Sequence, residues 1–188
     1  LDCVIFGFHE NELKVLLLKF RKVEQWALPG GFVKREEDVD EAAGRVLRER
    51  TGLEDIFLKQ FHLFGEAGRS NHGHAHWLVE EGVLDDDLFD WFNQRFVSVG
   101  YYAVVEYSLV TQPRPDFISE ACEWRPLSNL PPLILDHASI LAKAHQTLKR
   151  HLKEEPIGLN LLPRRFTMPE LQSLYETVLE KKLDRRNF

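Results

Sequence analysis

Apolar residues crowd the start of the chain in two runs, residues 1–8 and 13–20, with the polar tetrapeptide HENE between them. Val, Ile, Leu and Phe dominate both runs, so the pair predicts a β-hairpin. Residues 26–33 (WALPGGFV) predict a turn at Pro29-Gly30-Gly31 followed by a short strand. Residues 56–65 alternate as a strand does. Residues 96–110 do so more strongly, with Val97, Val99, Tyr101, Ala103 and Val105 on one face, and residues 121–127 are a shorter candidate. The period lengthens to that of a helix over 39–50, where Val39, Ala42, Ala43, Val46 and Leu47 form one stripe. Asp38 and Glu41 make a capping-box start to that stripe, and Gly52 suits a left-handed stop. A second helix is predicted over 136–155, with Ile140, Leu141, Ala144, Leu148 and Leu152 on its apolar face. Mixed strands with helices covering them predict an α/β fold, an α/β/α sandwich around a mixed sheet.

Two stretches break this pattern. Residues 156–163 (PIGLNLLP) carry proline at both ends and read as a linker, although their leucines favour packing. Beyond them Thr167 and Glu170 form another capping box, and Leu171, Leu174, Tyr175, Val178 and Leu179 repeat at helical spacing. A tight turn over 181–183 and a cap at Asp184 then give a helix-turn-helix outline. Residues 68–95 interrupt the strands. They hold His72, His74 and His76, which are read as a polar loop rather than a metal site because no thiolate or carboxylate joins them at a ligand spacing. They also hold Asp85, Asp86 and Asp87, read as the cap of a short helix whose buried stripe is Leu88, Phe89, Phe92 and Phe96.

Composition narrows the class. The 188 residues are 44% hydrophobic, which suits one large domain or a medium one with a small module attached. No apolar run, VLLL at 15–18 included, is long enough to cross a membrane. Cys3 and Cys122 are far apart in apolar contexts, so buried thiols in a reducing cytoplasm are expected. The net charge of −6 is uneven: residues 163–188 have six basic and four acidic side chains. An acidic body with a basic end fits a ligand domain joined to a nucleic-acid module.

The chemistry concentrates in residues 31–53, GFVKREEDVDEAAGRVLRERTGL. This stretch resembles the Nudix box, the signature of enzymes that split X-linked nucleoside diphosphates. Gly31, Glu37, Arg45, Leu47, Glu49, Gly52 and Leu53 stand in register with it, whereas Val46 and Arg50 replace two of its glutamates. Positions 46, 49 and 50 neighbour one another on a helix. Three carboxylates there would hold magnesium, which takes oxygen ligands and offsets charge in diphosphate cleavage. Val, Glu and Arg sum to zero charge, so metal-dependent hydrolysis is expected to be lost or severely weakened. Arg50 has two readings: a guanidinium standing in for the metal on a diphosphate, or a solvated residue at a helix end. Arg45 and Glu37 are expected to be a structural ion pair, as the resemblance implies.

The end of the chain, from PIGLNLLPRRF to DRRNF, is similar to the opening of the winged helix in the Nudix-related transcriptional regulators, the NrtR family and its sugar-responsive relatives. The resemblance implies a Nudix ligand-sensing domain over 1–155, with an insertion at 68–95, then a linker and winged-helix start over 156–188. That module is expected to be incomplete, with residue 188 inside the recognition helix. The implied function is a metabolite-responsive regulator, in which a degenerate Nudix domain binds an ADP-ribose-like or sugar effector and a homodimer binds operator DNA. The alternative is an active Nudix hydrolase acting on ADP-ribose or a related nucleoside diphosphate. Expected ligand-binding residues are Gly31, Arg45, Glu49, Arg50 and Glu66, with Trp26, Phe64, Tyr101 and Tyr102 as candidate pocket walls. Expected DNA contacts are Lys181, Lys182, Arg185, Arg186 and Asn187. No catalytic residue is expected beyond the residual box carboxylates Glu37 and Glu49. No metal site or cofactor is required, and magnesium enters only if hydrolysis is retained. No membrane partner is expected.

Overall fold

The computed structural model describes residues 1–22, 24–54, 56–69, 79, 94–116 and 118–184. The expected hairpin joins β1 (Asp2–His9) to β2 (Glu12–Phe20). Glu10 and Asn11 both take positive φ, 53° and 58°, as a two-residue turn matched to strand twist demands. β3 is short, Trp26–Ala27, and precedes the Pro-Gly-Gly turn. The strand expected after that turn is not formed: residues 31–34 are irregular, and Phe32 and Val33 are exposed. β4 (Phe57–Phe64), β5 (Ser98–Val105) and β6 (Ser119–Pro126) complete the sheet. β5 is shorter than its apolar pattern suggests, since Tyr107–Leu109 turns into a 3-10 helix and Val97 is exposed.

The sheet runs β3-β2-β1-β5-β4, and β6 pairs with the other edge of β2. β1 and β5 are parallel, whereas the β1–β2, β2–β3, β2–β6 and β4–β5 pairs are antiparallel. Because side chains alternate across a strand, β1 serves two cores. Cys3 and Ile5 face α1 (Val39–Thr51), while Val4 and Phe6 face α2 (His137–Glu154). Helices therefore cover both faces, as an α/β/α sandwich requires.

The stretch read as a linker belongs to the second core. Pro156–Leu161 is a 3-10 helix whose Ile157 and Leu161 are buried, as is Leu162 after it. α3 (Met168–Leu179) follows, started by the Thr167–Glu170 capping box, with Glu170 N donating to Thr167 Oγ1 and Thr167 N to Glu170 Oε2. Leu174 and Val178 are fully buried in the cluster that holds Val4, Phe6 and the apolar face of α2. α3 is thus docked on the body rather than tethered to it. Gly158 marks how close the approach is: a Cβ there would stand 2.7 Å from Leu152 Cδ1.

Candidate functional site

α1 carries the box, and local signals fix its ends. Glu41 Oε2 accepts from the Asp38 backbone N–H at 2.9 Å at the start, and Gly52 closes the end at φ 73°. Ahead of the helix, Arg45 gathers the loop. Its guanidinium donates to Glu37 at 2.9 and 2.6 Å and to the Phe32 carbonyl at 2.9 Å. Glu37 also accepts from the Lys34 N–H at 2.8 Å. The Arg45 bonds and this backbone bond hold the Glu37 carboxyl at about 2. The Arg45–Glu37 pair is structural, as expected.

The three positions that bear carboxylates in an active box do different work. Val46 is 1% exposed and packs with Cys3, Ile5 and Leu47 beneath the sheet. Its Cγ2 lies 2.8 Å from where a Cβ on Gly31 would sit, so Gly31 is needed for this contact. Glu49 stands at the surface between two guanidiniums, Arg45 Nη1 at 3.4 Å and Arg50 Nη2 at 3.7 Å. Arg50 is not the solvated helix-end residue of one reading: it is 9% exposed and turned inward. Its Nη1 donates to the Arg114 carbonyl at 3.4 Å, and its own carbonyl accepts from the Arg114 N–H at 2.9 Å. Its Nε is buried with no partner. Arg50 thereby pins the loop before β6 while taking up part of the charge of Glu49.

The structure brings Gly31, Arg45, Glu49 and Arg50 together around α1. Gly31 uses its N–H and carbonyl on Leu1, at 3.1 and 2.9 Å. Glu66 is exposed at the exit of β4, facing Arg69. The expected aromatic walls are core instead. Trp26, Phe64 and Tyr102 pack on the α2 side, where the Tyr102 hydroxyl meets His151 Nδ1 at 2.7 Å. Tyr101 lies under α1 and donates to Asp40. The thiols of Cys3 and Cys122 are buried as expected, and burial pushes both up to about 12. Lys181 and Lys182 are exposed just beyond α3, with Lys182 Nζ 2.9 Å from Glu176. Arg185, Arg186, Asn187, the three histidines and the Asp85-Asp86-Asp87 helix lie outside the described residues. Among the described residues no group of His, Cys, Asp and Glu is placed to hold a metal ion, and no helix is long and apolar enough to cross a membrane.

One buried network has no counterpart in the sequence reading. Arg69, with a side chain 2% exposed, grips Asp136 through paired bonds of 2.9 and 3.0 Å and lies 3.7 Å from Asp2. Ser98 donates to the same Asp2 carboxylate. His137 accepts the Leu28 N–H at 2.9 Å through Nδ1, and burial holds its pKa below the usual histidine value. The network ties the segment leaving β4 to the start of α2. Its only sequence trace is an aspartate at the head of an apolar strand and another at the head of α2.

Clefts of about 500 Å³ lie away from the box, where the β1–β2 turn, α2 and α3 meet. They share Asn11, Thr177 and Glu180.

The NUDIX domain model matches residues 2–148, and the model of the NrtR DNA-binding winged helix domain matches residues 158–188. The ADPR responsive transcriptional repressor NtrR of Acinetobacter baylyi is 30% identical, over all of this chain and 68% of its own length. The crystal structure of Shewanella oneidensis NrtR complexed with a 27mer DNA superposes with a TM-score of 0.73 at 25% identity, over 99% of this chain and 78% of that one. The NUDIX domain of the same protein, complexed with ADP ribose, shares the fold at a TM-score of 0.58 and 24% identity, over 78% of this chain and 85% of that one. The chain belongs to the NUDIX family and, within it, to the NrtR-like regulators, in which a NUDIX domain is followed by a DNA-binding winged helix.

Proposed function

We propose that this chain is a metabolite-responsive transcriptional regulator whose NUDIX body binds an ADP-ribose-like effector without cleaving it and whose winged-helix part binds operator DNA. The observation that carries the reading is the state of the box: Val46 is buried, and Glu49 is bracketed by Arg45 and Arg50. A magnesium ion at Glu49 would find one carboxylate already facing two fixed cations, a poor site for an ion that needs several oxygen ligands. Magnesium is accordingly not required. The relative named for its response to ADPR supports the choice of effector. A ligand that is bound and not consumed reports its own concentration. The regulator acts as a cytoplasmic homodimer in this reading.

The competing reading, a working hydrolase, would have to recruit carboxylates such as Glu36, Glu37, Glu41 or Glu66. Glu37 is engaged by Arg45 and the Lys34 N–H, and Glu41 by the Asp38 N–H. The test of the regulator is a fluorescence-anisotropy titration on a duplex that the wild-type chain selects from a randomised pool. Saturating ADP-ribose should change affinity for that duplex by about tenfold, within the usual range of allosteric coupling. An unchanged affinity, with ADP-ribose bound, would remove the regulatory link.

A further inference from the structure

DNA recognition needs a contacting element held at a fixed angle, and the turn after α3 is bound by side chains of that helix. Glu176, on α3, reaches past the helix end. Its Oε1 accepts from the Leu183 N–H and from Gln172 Nε2, both at 3.0 Å, and its Oε2 takes Lys182 Nζ at 2.9 Å. Gln172 Nε2 donates in addition to the Leu183 carbonyl at 3.0 Å. Both polar groups of the Leu183 peptide are thus bound by side chains of α3. Glu176 is well covered although Lys182 beside it is 94% exposed, and its three bonds hold its carboxyl at about 2. Between them Glu180 makes the reversal at φ 53°, and the Lys181 N–H returns to the Glu176 carbonyl at 3.2 Å. Turns usually spend their polar groups on water or on their own backbone; this one is clasped to the helix before it.

The clasp continues a rigid path. Ser173 donates to Asn11 Oδ1 at 2.7 Å and Thr177 to the Asn11 carbonyl at 3.3 Å, which pins α3 to the β1–β2 turn. Lys149 on α2 meets Glu180 at 2.8 Å. With Leu174 and Val178 fully buried, α3 has a fixed place on the NUDIX body, and the Leu183 peptide has a fixed place on α3.

Resting on the regulator reading above, we propose that Glu176 and Gln172 are positioning residues for DNA recognition: they fix the Leu183 peptide and, with it, the direction in which the chain leaves for the basic residues that follow. The sign of one measurement separates this role from simple charge. DNA is a polyanion whose phosphates dominate affinity, so deleting a nearby carboxylate should by itself tighten binding to every duplex. Deleting a positioning residue should instead reduce discrimination between sequences.

The experiment uses the full chain, the duplex selected by the wild type, and a scrambled duplex of equal length and composition. Glu176→Ala should lower the ratio of the two affinities about tenfold, the scale set by one or two poorly met base pairs. Glu176→Gln keeps an acceptor for the Leu183 N–H and should hold the ratio within about threefold of wild type. Gln172→Ala is an independent test that leaves the carboxylate in place, and its ratio should also fall. Equal tightening on both duplexes with an unchanged ratio would overturn the proposal. If the wild-type chain selects no duplex at all, the DNA-binding reading falls and this one falls with it.

Discussion

Leu174→Ala should lower the stability of the whole body by about 3 kcal/mol, the scale of a buried leucine replaced by alanine in a core that cannot fully close around the gap. Leu174 is fully buried and packs among residues from β1, β2, β5, α2 and the 3-10 segment. It lies on the first helix of what the sequence divides off as a separate module. Were that module independent, the loss would fall on α3 alone. A urea titration followed by tryptophan fluorescence distinguishes the outcomes, because Trp26 sits in the same core. A single transition moved to lower urea with an unchanged slope is the expected result. An unmoved tryptophan transition would show that α3 unfolds separately from the body.

Arg50→Glu should cost about 3 kcal/mol in the absence of divalent cations. The reason is charge inside the fold. Arg50 is nearly buried, gives a hydrogen bond to the Arg114 carbonyl, and faces Glu49. A carboxylate there would face an acceptor and a like charge with little water to relieve either, which is the strongly unfavourable case of an unpaired buried ion. Magnesium should recover part of the loss, since two adjacent carboxylates begin to form an oxygen ligand set. Thermal melting with and without magnesium reads both effects. A variant as stable as wild type and indifferent to magnesium would mean that Arg50 has no structural role here. Hydrolysis is not expected to return with this change, because Val46 still occupies the third carboxylate position.

These expectations rest on features that the sequence reveals unevenly. α1 is legible because its cap, its stripe and its terminating glycine are local signals within fourteen residues of one another (Asp38 to Gly52). The hairpin and the two helices over 136–155 and 168–179 are legible for the same reason. The direction of Arg50 is not, because its partner carbonyl is 64 positions away, in a loop without a sequence motif. Arg69 and Asp136 are 67 apart, and neither looks unusual among its neighbours. The segment 156–163 shows the limit of punctuation: proline and glycine mark a break in the helix, yet Ile157, Leu161 and Leu162 make that break part of the core. The aromatic residues expected along a pocket are core because β-strand alternation says which face a side chain takes but not what covers it. In the box, substitution pattern alone shows that charge has been removed. The geometry adds that the remaining carboxylate is shared between two arginines.

Whether the effector survives its encounter with the protein is settled most directly by phosphorus NMR of ADP-ribose mixed with the full chain and magnesium. Saturable perturbation of the diphosphate resonances, with the intact molecule still present after hours, is what a neutralised box with a doubly paired Glu49 should give. Steady loss of those resonances with appearance of AMP and ribose 5-phosphate, at ~1 per second or faster as ordinary enzymes achieve, would mean that this box still cuts.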